Sequence, residues 1–110
     1  MPLDLPESIS AYFAAEGADS DVAAFRRWFV EDALVKDEGE THKGLAAIAQ
    51  WKAEARKKYQ YTLEPLASAG KGGKVSVTCR IAGNFPGSPV DLQYDFELKG
   101  GKIASLAIHP

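Results

Sequence analysis

The chain has 110 residues, 45% of them hydrophobic, which suits one compact domain spanning 1–110 around a single core. Thirteen basic against fifteen acidic side chains leave a formal net charge of −2. That balance speaks against broad capture of nucleic acid or of an anionic membrane and favours a neutral or small polar ligand. The single cysteine, Cys79, has no partner for an internal disulfide, and the opening MPLDLPESIS lacks the basic and apolar regions of a secretory leader. No apolar run approaches the roughly 18 residues of a membrane span, so a cytoplasmic protein without a membrane partner is expected.

Asp4 followed by Glu7 reads as a capping box, with Pro6 in the first turn where its missing N–H costs nothing. The helix it opens is expected from Pro6 to Glu16, with Ile9, Tyr12 and Phe13 on its apolar face and Gly17 as the stop. Asp19 or Ser20 caps a second helix, with Val22, Phe25, Trp28 and Phe29 on one side and Arg26 and Arg27 toward solvent. From Asp32 to Asp37 the period shortens to two. Ala33, Val35 and Asp37 share one face and Leu34 and Lys36 the other, which makes a short strand. Glu38 to Lys43 is polar, holds a glycine and reads as a loop. Gly44 leads into the alanine-rich LAAIAQWKAEARKK, a helix with Leu45, Ile48, Trp51 and Ala55 inward and Arg56, Lys57 and Lys58 complementing the dipole in its last turn.

After Tyr59 the chain alternates with period two, the pattern of antiparallel strands separated by glycine-containing turns. Tyr59, Tyr61 and Leu63 form one inward row. GKGG turns into Val75, Val77, Cys79 and Ile81, and NFPGSP returns the chain into Val90, Leu92, Tyr94, Phe96 and Leu98. Gly100 and Gly101 make the last tight turn, before a strand with Ala104, Leu106 and Ile108 on one face and Ile103, Ser105, Ala107 and His109 on the other. Helices first and strands late indicate an α+β fold, with helices covering one face of a curved antiparallel sheet. The other face carries Ser76, Thr78, Gln93 and Ser105, short or neutral groups against which a second copy can pack, so a homodimer is expected.

Asp37 is the residue with the most chemistry to offer. An acid at the end of a strand whose other inward residues are Ala33 and Val35 is expected at the mouth or floor of an apolar cavity. The plainer alternative is a strand-terminal Asp bonded to the loop EGETHKG that follows. His42 is either a second acid or base reaching the cavity or a solvated loop histidine, and His109 is expected at the surface or an interface. Cys79, mid-strand among aliphatic neighbours, reads as an inert buried thiol. Trp28, Trp51, Phe85 and Phe96 are core rings. No metal-ligand spacing and no phosphate-binding glycine loop is present, so neither metal nor cofactor is expected.

The segments FVEDALVKDEG, GLAAIAQW and YDFELKGGKIASL, in this order, resemble the NTF2-like superfamily, and within it the SnoaL-like branch, which also resembles ketosteroid isomerase. The resemblance covers nearly the whole chain and rests on helix and strand punctuation. It implies a cone of three N-terminal helices packed on a curved sheet with a pocket between them, in a superfamily that includes isomerases, cyclases, dehydratases and non-catalytic modules. EDALVKD matches the isomerase run that ends in the general-base aspartate, which falls on Asp37. Tyr12 falls near the tyrosine that donates to the developing oxyanion if the loop between the first two helices is one residue longer here; otherwise Phe13 takes that place. Tyr94 stands where the isomerase has a protonated aspartic acid, and a phenol can donate the same kind of bond. The end at Pro110 is earlier than the isomerase's last strand, which removes part of a wall.

The reading that results is a small-molecule-binding protein, an isomerase, cyclase or lyase using Asp37 with Tyr12 or Tyr94. Its small, largely apolar ligand would be lined by Trp28, Val35, His42, Trp51, Tyr61, Cys79, Phe96 and Leu106. The alternative is a ligand-binding or dimerisation module with the same pocket and no turnover.

Overall fold

A computed structural model describes residues 5–14, 22–37, 39–58 and 61–110. The predicted caps and stops at Asp4, Gly17, Asp19 and Ser20, and Tyr59, lie outside them, as do the side chains of Val22, Arg56, Lys57 and Lys58. In chain order the elements are α1 (Glu7–Ala14), α2 (Val22–Trp28), β1 (Phe29–Asp37), β2 (Glu40–Lys43), α3 (Leu45–Lys58), β3 (Tyr61–Lys71), β4 (Lys74–Gly83), β5 (Val90–Lys99) and β6 (Lys102–His109). The strands form one six-stranded sheet in the order β2-β1-β6-β5-β4-β3. Its pairs are antiparallel except β1 with β6, which run parallel, so the sheet is mixed where pure antiparallel pairing was expected.

The inward residues form rows across the sheet. Val35 pairs with Leu106, Leu106 with Phe96 and Phe96 with Val75. One step along, Ile108 pairs with Tyr94 and Tyr94 with Val77. Over this face α3 lies against β1 and β2, α2 against β1 and β6, and α1 against β6. Ile9, Phe25, Phe29, Ala33, Val35, Ile48, Val77, Cys79 and Ile103 are all buried to 1% exposure or less, so helices and sheet close on a continuous apolar interior. The hairpin turns at Gly72–Gly73 and Gly100–Gly101 hold both residues at positive φ (62° and 83°, 59° and 84°), as two-residue turns matched to strand twist require.

Three expectations change. Phe29 leaves the second helix and opens β1, where it pairs with Ile103; tertiary pairing outweighs a helical period in a β-favouring Phe-Val step. Glu38 to Lys43 is not simply a loop, because Glu40–Lys43 is a strand that pairs back on β1 from Asp37↔Glu40 to Leu34↔Lys43. In β6 strict alternation fails. Leu98 pairs with Ile103 but Glu97 with Ser105, so Ala104 is an extra residue, and Ile103 and Leu106, three apart, both point inward. A bulge of this kind bends the strand and resets which face follows. Further irregularities lie between Phe29 and Leu34 on β1 and between Pro65 and Ala67 on β3, and together they curve the sheet.

The outer face carries a ladder of polar cross-strand pairs. Ser76 donates to Asp95 at 2.7 Å, the Thr78 hydroxyl bonds Gln93, and Arg80 pairs with Asp91 at 3.0 Å. His109 meets Asp95 at 2.6 Å. That bond is the main reason the Asp95 carboxyl sits below its usual range, with burial opposing and Ser76 assisting, and the reason the His109 imidazole sits above its ordinary 6.5. A shallow groove of about 480 Å³ crosses this face, with Lys36, Lys74, Asp95 and Glu97 among its lining residues.

The bulge makes a measurable difference at Ile103. An inward Ile→Ala change costs about 2–5 kcal/mol, whereas an outward one stays within about 0.5 kcal/mol. Ile103→Ala is expected to fall in the first range by urea unfolding.

Candidate functional site

Asp37 ends β1 on the face shared with Ala33 and Val35, both fully buried, and is itself half-buried. Its Oδ2 accepts a hydrogen bond of 3.1 Å from the indole Nε1 of Trp51, which is 8% exposed on α3. The acid is therefore tied to the helix layer rather than to the turn that follows it. A buried indole N–H needs an acceptor, and the carboxylate supplies it while keeping a second oxygen with which to take a proton.

The unexpected strand β2 decides the place of His42. Its Cα partner is Val35, so His42 shares the inward face with Val35 and Asp37, and its ring lies 5.9 Å from that of Trp51 at 32°. Its side chain is 20% exposed, and Nε2 stands 3.9 Å from Glu40, too long for a hydrogen bond. Asp37, Trp51 and His42 thus form one cluster.

A second cluster adjoins it. Lys52 is half-buried on α3, and its Nζ is 3.4 Å from the hydroxyls of both Tyr12 and Tyr61. The same ammonium lies 5.1 Å from the ring centre of Tyr12, 5.5 Å from that of Trp51 and 5.9 Å from that of Tyr61, within cation–π range of all three. Sequence reasoning missed Lys52, yet the signal was there: it follows Ile48 by four residues and Leu45 by seven, on the helical stripe that turns inward.

The remaining candidates form the floor. Tyr12 packs edge-on against Phe29 and Phe96, Phe13 lies against Tyr94 and Phe96, and Tyr94 against Phe96, with centroids 5.6–6.3 Å apart. Tyr12 and Phe13 thus both face the interior. Val35, Cys79, Phe96 and Leu106 are at most 2% exposed beneath these rings. Trp28 is half-buried and packs edge-on against Phe25, one ring removed from this floor. Tyr94 and Asp37 flank Ile108 on neighbouring strands, since the β1–β6 register runs to Lys36↔Ala107 and Tyr94 pairs with Ile108. Two strand spacings put their Cα atoms about 10 Å apart, a span a small molecule can bridge. Among the described residues no group of three or more His, Cys, Asp or Glu could hold a metal ion, and no helix is long and apolar enough to cross a membrane.

The architecture is that of the NTF2-like α+β cone, and known structures agree. A protein from Sinorhizobium meliloti, provisionally named a polyketide cyclase, is 43% identical over 96% of both chains, with a TM-score of 0.89. A Catenulispora acidiphila protein described as having a ketosteroid isomerase-like fold, solved with trimethylamine, is 22% identical over 97% of this chain and 87% of its own, with a TM-score of 0.82. A SnoaL-like protein from Agrobacterium tumefaciens, provisionally named an isomerase, is 19% identical over 92% of each chain, with a TM-score of 0.73. No protein-family model matches the chain and no curated protein matches it. The chain belongs to the same family as the Sinorhizobium meliloti protein, on the fold that SnoaL-like and NTF2-like proteins share.

The indole–carboxylate bond yields a direct test. Trp51→Phe keeps the ring and removes the donor, so it is expected to cost about 1–3 kcal/mol, the range for a bond to a charged group that is left partly desolvated. Urea unfolding followed through Trp28 fluorescence measures it.

Proposed function

We propose that the protein binds a small, largely apolar carbonyl compound against the inward face and performs acid–base chemistry on it, as an isomerase, cyclase or lyase with Asp37 as general base. The observation that carries this reading is the position of Asp37: an inward, half-buried carboxylate at the end of β1, oriented through one oxygen by Trp51. An aspartate base opposed by hydrogen-bond donors at a carbonyl oxygen is the division of labour found in ketosteroid isomerase. Tyr12 or Tyr94 supplies the donor. Trp28, Val35, His42, Trp51, Tyr61, Cys79, Phe96 and Leu106 shape the surroundings, with His42 as a second acid or base, its ring 5.9 Å from that of Trp51. The 43% identity to a protein provisionally named a polyketide cyclase supports the same reaction family.

One observation favours a second reading, a binding module without turnover: the Trp51 indole gives Asp37 a structural task of its own. Proton exchange separates the two. Enolisable ketones and 3-oxo esters incubated with the protein in D2O should exchange their α-protons faster than in buffer. Asp37→Asn is expected to lower that rate by about 10²- to 10⁴-fold, the usual contribution of a positioned base. Equal exchange by both proteins across the set favours the module.

We also propose a cytoplasmic homodimer through the outer sheet face. Lys36 and Lys74 share one groove with Asp95 and Glu97, so a two-fold copy can set acids against lysines across a self-complementary contact. Sedimentation should give a dimer for the wild type and a monomer for the Asp95→Lys, Glu97→Lys double variant; a monomeric wild type would refute the interface.

A further inference from the structure

The chain spells Lys-Gly-Gly-Lys twice, at 71–74 and at 99–102. Both copies are hairpin turns, and the strand order puts them side by side at one end of the sheet, β3–β4 next to β5–β6. Their centres lie two strand spacings, about 10 Å, apart across the strands. The Leu98 amide donates to the Gly73 carbonyl at 2.7 Å, which joins one hairpin to the other. The end of α2 meets them there: the Lys102 ammonium donates to the Arg26 carbonyl at 3.0 Å, and Phe29 pairs with Ile103. With Arg26 and Arg27, this end holds six of the thirteen basic residues of the chain. Arg26, Arg27, Lys74, Lys99 and Lys102 are all exposed.

The fold gains little from that sign. The turn lysines are cross-strand partners, Lys71↔Lys74 and Lys99↔Lys102, and like charges directly opposite destabilise a sheet. Solubility is served as well by mixed charges. The acids at this end are fewer, Glu31 and Asp32 early in β1 and Glu97 opposite Lys74. Glu31 reaches Arg26 only at 3.7 Å, with both side chains largely exposed. The turns themselves are bare: a Cβ at Gly72, Gly100 or Gly101 would meet nothing within 4 Å, so another chain can approach them to backbone contact.

We propose that this end of the sheet is a docking surface for an acidic segment of a partner protein, whose carboxylates Arg26, Arg27, Lys99 and Lys102 receive around the bare glycine turn. Roughly 25 Å of β1 separates the surface from Asp37, so the inference is independent of the reading of Asp37 as a base. Lys74 also lines the outer groove and is not needed here. An extended acidic segment repeats carboxylates on one face about every 7 Å, close enough for several to meet these cations at once, and guanidinium forks suit carboxylates. A lone phosphate on an open ridge gains no such multiplicity. A bilayer or a DNA duplex runs past the patch and meets the remainder of the chain, which carries the acids behind the net charge of −2. Exposed ion pairs are individually weak and screened by salt, so the contact is a transient one.

Amide signals of the nitrogen-15-labelled protein, titrated with hexaglutamate at low salt, test the surface. Saturable shifts are expected at Gly100 and Gly101 and at the neighbouring Gly72 and Gly73, with affinity falling about fivefold or more as salt rises past about 0.1 M. Lys99→Glu with Lys102→Glu should weaken binding about fivefold or more. Lys43→Glu with Arg80→Glu, the same change of net charge elsewhere on the surface, should leave it within about twofold. An absence of saturable shifts, shifts centred away from the two turns, or equal losses in the two double variants each overturns the proposal. So does tighter binding at the turns by pyrophosphate, a short DNA duplex or a phosphatidylserine vesicle, which assigns the surface to another anion. Should the Lys99→Glu, Lys102→Glu protein not fold, the position of the wild-type shifts and the rank of the four anions decide.

Discussion

The hydrogen bond from the Trp51 indole to Asp37 joins the helix layer to the sheet. Trp51 is 8% exposed, and an indole N–H withdrawn from water without an acceptor costs about 1–3 kcal/mol. Asp37 meets that need from the end of β1, which fixes α3 over the β1–β2 hairpin at 3.1 Å. Everything near the site is referred to this contact. His42 lies on one side of the indole through the β2 register, and Lys52 lies over its ring from the next position on the helix.

The sheet serves the contact by controlling facing. A slip of one residue would turn Asp37 to the outer face and Lys36 inward, so the register of β1 decides whether there is a candidate base at all. That register is held on both edges, by antiparallel pairing to β2 and parallel pairing to β6. The bulge at Ala104 is part of the same control. It brings Ile103 inward, where it pairs with Phe29, and still leaves Leu106 opposite Val35 and Phe96.

Most of the architecture was legible because its causes are local. The period-two runs at 75–81 and 90–98, the glycine pairs and the stripe Leu45, Ile48, Trp51 follow from side-chain spacing and turn chemistry alone. What escaped depends on partners distant in sequence. Glu40–Lys43 is polar and short and becomes a strand only because β1 offers it a ladder, and Phe29 leaves its helix because Ile103 stands 74 positions on to pair with it. No alternation rule reveals Ala104 as an extra residue, since a bulge is defined by the opposing strand. Asp37 was readable from its face. Its tie to Trp51, 14 residues away, and the gathering of Lys52 with Tyr12, 40 residues away, are tertiary facts.

One indole brings a carboxylate and an ammonium near each other: Trp51 bonds Asp37 through Nε1, and its ring centre lies 5.5 Å from the Lys52 ammonium. Aromatic groups touch both charges: the indole N–H orients the carboxylate through one oxygen, and three ring faces and two phenol oxygens lie near the ammonium. The aromatic wall therefore does more than fill the interior: through Trp51 it ties the end of β1 to α3, and through the rings of Tyr12, Trp51 and Tyr61 it packs the Lys52 ammonium against the same surface.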